Sequence, residues 1–237
     1  MPHFNHSKVI SDIKELVRLL KLYQFEYMIE LYQLENLIGK SQTVFYDYNI
    51  GNLTFRISTS GMSPYPRVSK LTVSIDTNYS LQPDMSAKND IFRTYSLELF
   101  IRGYKNISAA DSEFSNFFCW HLDREENTTG DFIHPLYHLH AGGNKLQDEN
   151  IDAGELVFIG SPRIPHPPMD IILVIHFVIQ NFINNGDCEQ KSKLLADYDY
   201  QDIVERAQKR VLDPYFQSIA GANHNSFTKQ NLFPLYL

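Results

Sequence analysis

The sequence predicts an α+β fold: N-terminal helices, an antiparallel β-meander of four to six strands, and C-terminal helices packed on one face. Three observations carry this. Apolar residues recur at helical spacing near both ends of the 237-residue chain, they alternate with polar residues through the middle, and no stretch of disordered composition separates the two patterns. The chain therefore reads as one domain over 1–237, helical in 7–38, a meander over 44–160, helical again in 168–217, with a tail from 218 to 237.

Each element has its own warrant. Ile10, Ile13, Leu16, Val17 and Leu20 fall on one helical face, with Asp12, Lys14, Glu15 and Arg18 between them and Ser7 as a candidate N-cap. The pattern drifts through Phe25 to Leu34 without an outright breaker, so it predicts one bent helix or two. From Val44 the period becomes two. Leu53, Phe55 and Ile57, then Leu71, Val73 and Ile75, then Tyr95, Leu97, Leu99 and Ile101 alternate with polar neighbours, and a more apolar fourth strand covers Phe114 to Leu122. This is the pattern of a sheet with one wet face. Leu156 to Ile159 is a further candidate strand.

Four prolines between Ser161 and Pro168 predict an extended, stiff segment. Met169 to Asn184 is apolar almost all round and is expected to be a buried helix, with Asp170 near its start. Tyr198 to Leu212 is amphipathic, and Pro214 is expected to end or kink it. The last residues, Phe227 to Leu237, are unusually apolar for a chain end and call for a surface to dock on, in this chain or another.

Composition narrows the function. Two cysteines, Cys119 and Cys188, exclude a disulfide-dense scaffold and a four-cysteine zinc site. The net charge of −7 and the scattered basic residues disfavour nucleic-acid binding, although the 31 aromatic residues would suit a stacking surface on a basic background. No basic start precedes an apolar block, and the longest apolar run, Ile171 to Ile179, is half of a membrane span. The expected location is the cytoplasm, with no membrane association. Phosphate-loop, serine-elbow and zinc-protease helix motifs are all missing from the sequence.

The densest chemistry lies in Ile133-His134-Pro135-Leu136-Tyr137-His138-Leu139-His140. On a strand, His134, His138 and His140 would share a face, and two imidazoles two residues apart form a workable chelate. These three are the candidate metal ligands, for one divalent ion. His138, His140, His166 and Arg163 are the candidate catalytic set, with or without that ion, because imidazole titrates near neutrality. Arg163 and His166 flank the proline segment, and if His138 and His140 face the start of the following helix, its N-terminus would complete an anion-friendly corner with Arg163. Against this stands the ordinary reading, in which strand histidines are hydrogen-bonded surface residues. Likewise Cys119 reads as a buried structural thiol, His176 as a satisfied core histidine, and Gly142-Gly143 as a turn.

In its order of helix, meander, His134-Pro135 and helices, the chain resembles ubiquitin-conjugating folds and their inactive relatives. The active enzymes keep a nucleophilic cysteine shortly beyond that dipeptide, and this sequence has none there, so the resemblance implies no activity. Two functional expectations follow. One is a non-catalytic interaction or assembly protein, binding a protein partner or a second copy through 227–237. The other is a hydrolase or nuclease, metal-dependent or not, built on the 134–140 segment.

Overall fold

The computed structural model describes residues 6–40, 47–60, 62, 67–82, 90–110, 114–126, 133–142, 146, 163–184, 188–220 and 227–233. Helices at both ends flank a six-stranded antiparallel sheet, so the α+β expectation holds. Helix α1 (His6–Leu22) buries the predicted apolar stripe. It ends because Gln24 takes a left-handed conformation (φ 60°), which turns the chain through a short 3-10 turn, Phe25–Tyr27, into α2 (Tyr32–Lys40). Periodicity does not reveal that break, since glutamine carries no sequence mark for it.

The strands are β1 (Asp47–Ile57), β2 (Lys70–Leu81), β3 (Phe92–Tyr104), β4 (Asn116–Arg124), β5 (Tyr137–Ala141) and β6 (Ile164–Pro165), paired in chain order. A bulge between Ile50 and Leu53 interrupts the β1–β2 register, with Asn52 at φ 56° donating its N–H to Asp76 Oδ1 (2.5 Å). Strand β4 runs two residues beyond the predicted Leu122, which brings Asp123 into the sheet instead of a loop. The proline segment supplies β6: Pro165 lacks an N–H, which suits a two-residue strand pairing with β5. The candidate strand at 156–159 lies outside the described residues.

The helices lie on the sheet face that carries Val73, Ile75, Leu97, Leu99, Leu122 and Tyr137, some against the sheet and others against neighbouring helices. A continuous buried apolar cluster joins these residues to the helices. Helix α3 (Ile171–Phe182) is the expected buried helix, and Asp170 is its N-cap, accepting from the N–H groups of Ile172 and Leu173. Helix α4 (Glu189–Ala196) is not announced by the sequence, since only Lys191 and Leu194 of it are buried. Helix α5 (Tyr198–Ile219) continues through Pro214. Loss of one backbone hydrogen bond is outweighed there by burial of Val211, Pro214, Tyr215 and Ser218 along the same stripe. No described helix is long and apolar enough to cross a membrane.

The apolar tail is used internally over its described part. Phe227 and Leu232 are buried, Phe227 packs edge-on against Tyr137 and Tyr215, and Asn231 O, in the short helix α6 (Lys229–Leu232), accepts from Leu136 N (2.6 Å). Residues 234–237 lie outside the described residues. Leu232→Ala should cost about 2 kcal/mol or more by urea denaturation, whereas a change under about 0.5 kcal/mol would place the tail among ordinary surface residues.

Candidate functional site

The opposite face of the sheet mixes polar side chains with Phe100, Phe117 and Cys119. Strand alternation puts Ser96 and Glu98 of β3, Cys119, His121 and Asp123 of β4, and His138 and His140 of β5 on that face. The register then sets them in rows across the strands. Ser96 stands opposite Asp123 and Asp123 opposite His138, while Glu98 stands opposite His121 and His121 opposite His140.

Asp123, His138 and His140 converge. Each contributes one ligand atom, and these atoms all lie within 4.8 Å of one another. Two nitrogens and one carboxylate oxygen form a donor set common in catalytic zinc and non-haem iron centres. The surroundings fix each donor. His138 Nδ1 donates to Pro135 O (2.9 Å), which leaves Nε2 with its lone pair toward the cluster. Burial, opposed by the Pro135 carbonyl and the Asp123 charge and aided by His140 and Arg163, pulls the His138 pKa below the ordinary histidine value. Ser96 Oγ donates to Asp123 Oδ1 (2.9 Å), and Asp123 Oδ2 faces His140 Nε2 (3.2 Å). Burial works to raise the Asp123 carboxyl, but the hydrogen bonds from His140 and Ser96 and the two nearby histidines overcome it and hold it below its usual range.

His121 supports the cluster from one side. Its ring stacks on His140 at 4.9 Å, Nε2 donates to Gly142 O (3.2 Å), and Nδ1 faces Glu98 Oε1 at 3.3 Å. Burial first, and His140 next, lower its pKa despite Glu98 and Asp123. Cys119 is fully buried and its Sγ also donates to Gly142 O (3.4 Å), in keeping with a structural thiol. Gly142 therefore anchors two side chains through one carbonyl, from a left-handed conformation (φ 80°). A Cβ there would also meet Leu146 Cδ1 at 2.7 Å. Gly142→Ala should destabilise by about 1–2 kcal/mol, measured by thermal or urea unfolding, and an unchanged stability would mean the carbonyl can be repositioned freely.

The structure redistributes the sequence candidates. His134 precedes β5, because Pro135 keeps the strand from starting before Tyr137, and its place in the donor trio is taken by Asp123. Its ring still touches His138, at 5.6 Å between centroids. His166 follows β6, where Pro165 and not His166 is the register partner of His138. Its backbone N–H binds Tyr137 O (3.3 Å) and its Nδ1 donates to Pro167 O (2.6 Å), so it satisfies its own loop. Arg163 lies just before β6, where its charge reaches His138. The anion-friendly corner at the start of α3 does not form: the Asp170 carboxylate occupies the helix N-terminus and is paired with Arg210 (2.5 Å). His176 is bonded to Tyr200 (3.1 Å) on α5, as a core histidine would be.

Two open polar hollows of about 460 and 420 Å³ share Asn78 and Ser96 in their lining, and none of the three donors lines either. Ser96 is the link between them and the cluster, through its hydrogen bond to Asp123. Sequence reasoning missed Asp123, Glu98 and Ser96 because they come from neighbouring strands. The available signal was the alternation Cys119, His121, Asp123, which already puts a carboxylate on the histidine-bearing side of β4. Nothing in the comparisons with known proteins extends the ubiquitin-conjugating likeness: no family model, no curated protein and no solved structure matches the chain.

Proposed function

We propose that the protein is a metal-dependent hydrolase whose ion is held by Asp123, His138 and His140. The observation that carries this reading is the convergence of these three donors within 4.8 Å on one face of the sheet. Three protein donors leave coordination positions for water and substrate. Such an ion lowers the pKa of a bound water and polarises a carbonyl or phosphoryl oxygen. The chain's own residues hold and orient the donors: Pro135 O sets the His138 tautomer, Ser96 aims the carboxylate, and the His121 ring backs His140. The interaction-protein alternative loses one of its supports, the apolar tail, to the extent that Phe227 and Leu232 are buried against their own chain.

The test is metal analysis of the purified protein, followed by chelation, reconstitution with zinc, manganese or iron(II), and a screen of chromogenic esters and phosphate mono- and diesters. Wild-type protein is expected to take up about one ion per chain and to gain hydrolytic activity with it. The His138→Ala/His140→Ala double variant should do neither. Failure of the wild type to bind any of these ions would overturn the reading.

A further inference from the structure

At the other end of the same sheet face lies a smaller cavity of about 260 Å³, lined by Thr54, Thr72, Ser74, Arg102, Tyr104 and Phe114, with Asn52 at its margin. Arg102 is six residues along β3 from Ser96, or about 20 Å at strand rise, so this is separate from the His138/His140 cluster. Its guanidinium is half-buried and held by aromatic rings, with Cζ at 5.0 Å from the Phe100 centroid, 5.4 Å from Phe117 and 5.5 Å from Phe114. Arg18, Arg56, Arg124, Arg206 and Arg210 are each paired with a carboxylate. Arg102 has no such partner among the described residues, and its N–H groups make no hydrogen bond there. A half-buried cation without a counter-charge is unfavourable, and its planar fork matches a carboxylate.

The floor of the cavity is a set of hydroxyls. Thr54 Oγ1 donates to Asn52 (3.1 Å to Oδ1, 3.3 Å to the carbonyl O) and so accepts from Ser74 Oγ at 3.0 Å, whereas Thr72 Oγ1 lies a long 3.5 Å from Tyr104 Oη, which leaves the Thr72 hydroxyl best placed to donate to a ligand. Thr72 and Ser74 are only 3% and 2% exposed. Lys70 stands over the Tyr104 ring, where it donates to Ala109 O (3.2 Å). The volume exceeds the roughly 150 Å³ that suffices for a benzene ring. One guanidinium, a hydroxyl floor and a phenyl wall match a single negative charge better than the double charge of a phosphate monoester, above all in a chain of net charge −7.

We infer that this cavity is a binding site for a compact carboxylic acid, its carboxylate on the Arg102 fork and the Thr72 hydroxyl, its apolar body against Phe114. The test is a fluorine NMR titration of the full chain with 4-fluorobenzoate, beside the neutral 4-fluorobenzamide, with inorganic phosphate as competitor. Saturable binding of the acid is expected, at least about tenfold tighter than the amide and not displaced by equimolar phosphate. Arg102→Met should weaken it by about tenfold or more and Arg102→Lys by less, since lysine keeps the charge and loses the fork. Thr72→Val, which leaves the aromatic cradle intact, should weaken it several-fold, and Asp123→Asn should leave it unchanged. Absence of saturable binding, equal binding of the amide, displacement by equimolar phosphate, or full binding by both Arg102→Met and Thr72→Val would each overturn the inference.

Discussion

Arg210→Met is expected to lower the unfolding free energy by about 3–5 kcal/mol, read from urea denaturation. Arg210 is 1% exposed, with its guanidinium 3.2 Å from Asp12 and 2.5 Å from Asp170. Those carboxylates belong to α1 and to the cap of α3, so one side chain of α5 joins three helices. Methionine replaces much of the volume but strips the partner from two buried charges. Asp12 keeps Arg206 at 2.9 Å, whereas Asp170 keeps only the helix N–H groups that it caps. Total stability for a domain is about 5–15 kcal/mol, so the variant should lie near the edge of folding. Replacing Arg210 by Met together with Asp12→Leu and Asp170→Asn should restore part of the loss, because no charge is then stranded and asparagine still caps the helix. A single variant within about 1 kcal/mol of wild type would mean that water reaches the network and screens it.

The second large effect is on metal affinity. His138→Ala should raise the zinc dissociation constant by more than about 100-fold, and Ser96→Ala by about 10–100-fold, both measured by competition with a chromophoric chelator. The difference follows from what each contributes. His138 is a donor, while Ser96 only directs the Asp123 carboxylate through Oδ1 and leaves Oδ2 toward His140. His134→Ala should stay within about threefold of wild type, the scale of an ordinary surface substitution. If His134→Ala fell as far as His138→Ala, the donor set would be the three histidines of the sequence motif and not the trio that includes Asp123.

That contrast marks how far the sequence could be read. The helical stripe from Ile10 to Leu20 and the apolar positions from Leu71 to Ile101 do enter the core, but the expected wet face fails along β2, where Thr72, Ser74 and Ser80 are buried as well. Local breaks were less legible: the α1 end rests on a left-handed glutamine, and Pro214 is overridden by the packing of its neighbours. The site was half legible for a related reason. His138 and His140 announce themselves by spacing within one strand. Asp123, Ser96 and His121 join them only through strand register, which depends on loop geometry that local sequence does not encode. Arg210 was invisible in the same way, as one of several basic residues on an amphipathic helix whose partners lie 198 and 40 residues distant.

The bond from Leu136 N to Asn231 O, with the Phe227 ring against Tyr137, has a bearing on biosynthesis. The strand that carries His138 and His140 is clamped by residues translated roughly ninety codons later. Under the proposed function, the ion site would therefore reach its final geometry only after residues 227–232 have been made, so selection of the ion by that geometry would come late in folding.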